Sequence, residues 1–206
     1  MRTQRTQSTN VNSVGGWLGR IFRLDFTAFS EIRASPSATS AAIAVVFFAS
    51  MLAGLGSWLW ALQTDAVDNN KAFIRSFLLG GLIQTMVWFA WVYIAYLVLT
   101  WGYGARQDFR ELTRSMGFAF APVALSALVC IGALAVPIGL ISFMLAILFT
   151  NAAIQQSSDA DADEVIVANV LGFSVFAIVM GGFANVYEIN TIGGLAPGLF
   201  FFALDL

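Results

Sequence analysis

AAIAVVFFASMLAGLGSWLWAL, residues Ala41 to Leu62, runs without a single charged side chain. Crossing the roughly 30 Å hydrocarbon core of a bilayer takes about 20 helical residues, and this stretch is long enough. In lipid every backbone N–H and C=O must be bonded within the segment, so such a run predicts a spanning helix. The same test applied outward gives four more candidates. They are Phe77 to Leu99, with only Gln84 strongly polar; Met116 to Ala135, holding Pro122 and Cys130; Ile138 to Ala153; and Val165 to Phe183. Pro137 cannot continue a preceding helix, so Gly132–Pro137 is expected as a tight hairpin between the third and fourth spans. The fold class read from this pattern is all-α: a five-helix transmembrane domain over 35–187, with spans about 41–62, 77–99, 116–135, 138–153 and 165–183.

The composition fits lipid as the main solvent. Soluble domains are about half apolar; this chain is 59% apolar, 11% charged and has a mean hydropathy of +0.80. The opening MRTQRTQSTNVNSVGG carries charge but no apolar core, so it does not read as a cleavable signal. Residues 1–16 are expected as a disordered cytoplasmic tail. At the other end, Thr191 to Leu204 is apolar but broken by Gly193, Gly194, Pro197 and Gly198, so 188–206 reads as an interfacial or re-entrant tail. The absence of histidine excludes imidazole metal sites and Ser-His triads. Cys130, the sole cysteine, has no partner for an internal disulfide and reads as a small buried hydrophobe.

Basic residues set the orientation. Arg2, Arg5, Arg20, Arg23 and Arg33 precede the first span, and Arg106, Arg110 and Arg114 lie between the second and third. Only Lys71 and Arg75 fall on the other side, so the N-terminus is expected in the cytoplasm and the C-terminus outside.

Residues 17–34, WLGRIFRLDFTAFSEIRA, form an amphipathic interfacial segment. At helical spacing Trp17, Leu18, Ile21, Phe22, Leu24, Ala28, Phe29 and Ile32 share one face, and Arg20, Arg23, Thr27, Ser30 and Glu31 lie opposite. Asp25 would sit in the middle of the apolar face of a continuous helix. The helix is therefore expected to break there, Asp25 capping a second helix from Phe26; a partner contact through Asp25 is the other reading. The apolar face fits a headgroup boundary or the side of the bundle. Farther along, Arg106, Arg110 and Arg114 recur at spacing four and are expected on one helix face. That strip fits topology and local pairing with Asp108 and Glu111, or docking to anionic lipid or an acidic partner, at ~1 kcal/mol per basic residue.

Two stretches resemble the prokaryotic branch of the Yip (Ypt-interacting protein) family of five-span membrane proteins. RLDFTAFSEIRASPSAT, Arg23 to Thr39, looks like that branch's entry segment. GYGARQDFRELTRSMGFAFAP, Gly102 to Pro122, looks like the loop leading into the third span. Within it Gly117, Phe118 and Pro122 are similar to the Gly-Tyr-x-x-x-Pro signature of eukaryotic members, with Phe for Tyr. The likeness covers about residues 20 to 185. The eukaryotic Asp-Leu-Tyr-Gly-Pro box has no counterpart beyond Leu24-Asp25-Phe26, so binding of Rab-type GTPases is not carried over. The resemblance implies a five-span topology and a role in membrane organisation or partner binding.

The functional expectation is a non-enzymatic integral protein, without cofactor or metal, that organises membrane or partners from a prokaryotic plasma membrane. Its expected partners are the bilayer, anionic headgroups among them, and other membrane proteins or further copies; nucleic acid is not expected. The competing expectation is a small transporter or channel, for which Gln84, Thr85, Ser126, Ser142, Asn169 and Ser174 are the polar groups inside spans. Serines and threonines inside spans more often serve as hydrogen bonds between helices. An enzyme built on Asp159, Asp161, Asp163 and Glu164 as a divalent-cation site is a third reading. Their alternate spacing lacks the glycine turn of a calcium loop and suits a solvated loop at a helix N-terminus.

Overall fold

The computed structural model of the chain describes residues 11–64 and 73–186, and every regular element among them is helical. α1 (Val11–Phe22) and α2 (Ala28–Ala34) precede α3 (Ala38–Thr64). A π-helical stretch, Phe73–Gly80, runs into α4 (Gly81–Leu97), which ends in a second one, Val98–Gly102. α5 (Phe109–Ala119) continues as a 3₁₀ helix over Ala121–Cys130; the 3₁₀ turn Gly132–Leu134 then leads to α6 (Ala135–Ser157) and α7 (Ala162–Val186).

Five stretches are long and apolar enough to cross a membrane: Ala38–Gln63, Phe73–Gly102, Phe109–Cys130, Ala135–Ser157 and Ala162–Phe183. The chain is an integral membrane protein of five spans. Four of the spans lie within four residues of their expected bounds, and the third does not. The third span runs from Phe109 to Cys130, not from Met116 to Ala135, and the reversal falls between them and Ala135. Pro137 lies inside the first turn of α6. Its missing N–H would have had no helical partner there, so it is tolerated rather than helix-breaking. The N-terminal boundary also moves: α1 begins at Val11, within the stretch expected as tail. Val14 explains this, because it lies one turn before Leu18 and packs with it against the same apolar cluster. Residues 1–10 and the tail 188–206 lie outside the described residues.

The third span is the hub. It is 78% buried, against 39–44% for the other four. Around it α3 packs on α4, α4 on α7, and α7 on α6. The ring is not closed between α6 and α3, and α2 packs across α5 and α6 on that side. Pro122 explains why the hub changes form. Without an N–H it cannot bond back to the carbonyl of Phe118, and Val123 instead donates to Phe120 O at 3.0 Å. At three residues per turn the faces stay aligned: Val123, Ser126 and Val129 are buried, and Leu125, Leu128 and Ile131 are exposed.

Two glycines set how closely α3 approaches this hub. A Cβ on Gly117 would lie 2.8 Å from Ala42 Cβ and 3.0 Å from Ala42 O. A Cβ on Gly56 would collide with the Ser126 carbonyl and lie 2.8 Å from Ala127 Cα. Neither obstacle is a flexible side chain, so both helix pairs need glycine.

Candidate functional site

All described charged side chains except Arg75 belong to the end of the bundle where α1, α2 and α5 begin and α6 ends. The entry segment is built first. α1 closes with Asp25 N–H donating to Arg20 O at 3.0 Å and Leu24 N–H to Ile21 O at 2.9 Å, a Schellman end. Leu24 takes the left-handed position with φ 64°, a place that usually falls to glycine. The chain thus breaks at Leu24–Asp25, and α2 starts at Ala28 rather than Phe26.

The N-cap position of α2 falls to Thr27; Asp25 instead braces the turn before it. Its Oδ1 accepts from Thr27 N–H at 3.2 Å and from Thr27 Oγ1 at 2.6 Å, and its Oδ2 takes Arg20 Nε at 2.7 Å. Arg20 Nη1 also reaches Glu31 Oε1 at 2.7 Å, Nη2 reaches Thr27 Oγ1 at 2.9 Å, and Trp17 Nε1 donates to Glu31 Oε2 at 3.3 Å. This clasp shifts each ionisable member. The Thr27 hydroxyl and then Arg20 hold the Asp25 carboxyl below its ordinary range. Arg20 lowers Glu31, and Glu31 and Asp25 raise Arg20. All three groups are substantially exposed, so solvent screens the clasp. What fixes the segment is the other face. Ile21, Phe29 and Ile32 are fully buried with Phe118 of α5, and Trp17 meets the Phe118 ring edge-on at 5.6 Å. Of the two surroundings open to this apolar face, the bundle takes most of it.

The expected arginine strip is not formed. Asp108 caps α5, accepting from Arg110 N–H at 2.7 Å, so Arg106 precedes the helix. Arg110 is exposed, and Arg114 is buried with its Nε unpartnered. A helix starting at Phe109 and packed into the bundle separates three residues that a spacing of four had aligned. Arg106 N–H donates instead to Asp159 Oδ1 at 2.7 Å, tying this loop to the turn before α7. Glu164 reaches back to Asp161 N–H at 3.1 Å, so two of the acidic loop's carboxylates serve the backbone. A polar pocket of about 550 Å³ opens here, between Arg33 of α2, Arg106, Gln107 and Glu111, and Ser158 and Asp159. Gly117, Phe118 and Pro122 lie behind it as packing residues, with Phe118 on the entry segment and Pro122 at the switch to 3₁₀.

The polar groups inside the spans divide sharply. Thr85, Ser142 and Ser174 donate to the carbonyls of Gly81, Ile138 and Val170 in their own helices, at 2.7–2.8 Å. Asn169 joins three helices. Its Oδ1 accepts from Trp91 Nε1 of α4 and Thr150 Oγ1 of α6, both at 3.1 Å, and its Nδ2 donates to Ile147 O at 2.9 Å. Gln84 is fully buried on α4 with neither amide atom bonded, and Ser50, Ser57 and Ser126 have unpartnered hydroxyls. Asn169 as a junction, Leu24 as a left-handed turn and the Ser115–Ser157 bond at 2.8 Å were not foreseen. For Asn169 the signal was its place as the one amide in an otherwise apolar fifth span.

Compared with protein-family models, with curated proteins and with solved structures, the chain has no match.

Proposed function

We propose that this protein is a non-enzymatic, membrane-organising scaffold of the Yip-domain type. In this reading it sits in a prokaryotic plasma membrane, N-terminus inside and C-terminus outside, and meets partners at its charged end. The observation that carries the reading is the concentration of described charge at that one end. There the entry segment is packed down by Phe29 and Ile32 and leaves Arg23 and Arg110 exposed. A folded, charged platform on a lipid-embedded bundle supports recognition of anionic headgroups or acidic partner segments. Arg20 and Asp25 act within it as positioning residues, since each is engaged by the other. Arg114 supports the platform from inside rather than touching a partner. The test is purification from native membranes in mild detergent. Stoichiometric membrane-protein partners or self-association, weakened by Arg23→Gln with Arg110→Gln, are expected; a solitary monomer overturns the reading.

A second reading, a pathway for a small polar solute, is favoured by one observation. Gln84, Ser50, Ser57 and Ser126 are buried on three neighbouring spans with no protein partner. Unpaired polar groups are costly in a membrane interior and mark pathways where they persist. Flux into proteoliposomes that is lost in Gln84→Leu would place this reading first.

A further inference from the structure

Between α1, α3 and the 3₁₀ helix lies a groove of about 720 Å³. Its floor is alanine, from Ala41, Ala44 and Ala49 of α3 to Ala121 and Ala124 of the 3₁₀ helix. Its walls include Phe22 of α1 and Phe48 of α3, which are 49% and 63% exposed. We propose that this groove holds one acyl chain of an anionic phospholipid, with the phosphate at Arg23. The inference rests on the chain's placement in a membrane and stands whether or not the protein is a scaffold.

Depth decides between the possible occupants. The lining residues of α3 run from Ser40 to Leu52. At 1.5 Å per residue that is about 18 Å, close to the ~15 Å of one leaflet's hydrocarbon. A spanning helix from a second copy would need a seat about 30 Å long. The groove fits half a bilayer, which is the reach of an acyl chain. It also starts at the end that carries the charges, where a headgroup would lie. Charge complementarity selects the headgroup. Arg20 is already taken by Asp25 and Glu31; Arg23 does not line the groove, but it follows the wall residue Phe22 in sequence at the charged end, is exposed and has no ion pair among the described residues. A phosphate diester there would meet an unpaired guanidinium, for which arginine's planar fork is suited.

The test uses the full chain, reconstituted in vesicles of equal parts phosphatidylglycerol and phosphatidylcholine, extracted, and weighed intact by native mass spectrometry. One retained phospholipid per chain is expected, with phosphatidylglycerol preferred. Ala44→Phe, which fills the floor, should reduce retention at least tenfold. Arg23→Gln should keep a lipid but weaken the phosphatidylglycerol preference about fivefold. Unchanged retention in the first variant, or unchanged preference in the second, overturns the proposal. Should Ala44→Phe fail to fold, Arg23→Gln alone decides, since it alters only an exposed side chain. Ala44→Cys with the sole native cysteine replaced, Cys130→Ser, addresses the rival occupant. A disulfide-linked dimer in the bilayer would put a second copy in the groove and overturn the proposal; a monomer supports it.

Discussion

Asn169 on α7 and Gln84 on α4 are both amides enclosed by the bundle, 1% and 0% exposed. Asn169 uses its oxygen twice and its nitrogen once, binding α4, α6 and α7 together. Gln84 uses neither atom. Hydrogen bonds between spans average well under 1 kcal/mol because the unfolded chain in lipid also finds partners. An amide left without a partner costs ~1–3 kcal/mol. Burial of a polar group therefore tells little about its role until its partners are counted: the fifth span's amide is structural cement, whereas the second span's works against the fold unless something else engages it.

The contrast depends on the seam between α3 and the 3₁₀ helix keeping its spacing beside Ser126. Gly56→Ala, which drives a methyl into the Ser126 carbonyl, is expected to cost about 3 kcal/mol, read as loss of stability on titration with sodium dodecyl sulfate in mixed micelles. A cost near zero would mean that the seam yields and that Ser126 and its neighbours are not held apart. Asn169→Leu should cost about 2 kcal/mol in the same assay, because it strands Trp91 Nε1 and uncouples three helices. Gln84→Leu should instead stabilise by about 1 kcal/mol. Equal losses in the two variants would abolish the contrast and show that Gln84 is engaged in the bilayer.

Outside the membrane the clasp provides a third, wetter case. Asp25 and Glu31 are both held below their ordinary carboxylate range in the folded protein. The unfolded chain therefore binds more protons than the folded one near pH 4, and stability rises with pH there. The clasp's contribution is complete above the unfolded values of about 4 and is lost as pH falls through the lowered folded ones. Hydrogen-exchange protection factors at α1 and α2, taken against the unstructured-chain rate at each pH, should fall between pH 5 and 3, while those of Trp91 and its neighbours in α4 hold; a parallel fall in both would tie the clasp to the core. A gain as small as that of Gln84→Leu, about 1 kcal/mol, is expected for Leu24→Gly from releasing the left-handed strain at φ 64°, measured as a shift of the same unfolding curve.

The spans were legible because lipid imposes a length and a composition that Ala41–Leu62 meets on sight. Their junctions were not. Pro122 and Pro137 look alike as breakers, yet one switches a helix to 3₁₀ and the other fits inside a first turn, and only the start of each helix distinguishes them. The break at Asp25 was visible because an acid interrupts an apolar face. The residue that makes the turn, Leu24, gave no signal, since leucine has no preference for positive φ. The arginine strip misled for a related reason: periodicity of four assigns a shared face only where a helix exists, and Asp108 starts that helix after Arg106. The groove could not be read from sequence at all, because it is formed by helices that leave a gap between them.

The 3₁₀ half of the third span bears on bilayer thickness. Its ten residues rise about 2.0 Å each, against 1.5 Å in an α-helix, so winding them back to α would shorten the span by about 5 Å. Pro122 obstructs that rewinding only at the segment's beginning, since the residues after it carry their N–H groups. The hub thus has a telescoping section in the half away from the charged end, while a fully α-helical span adjusts to a thinner bilayer by tilting or kinking. A change of thickness would then act as a differential strain, sliding the buried column of Val123, Ser126 and Val129 along α3 rather than tilting the bundle as a whole.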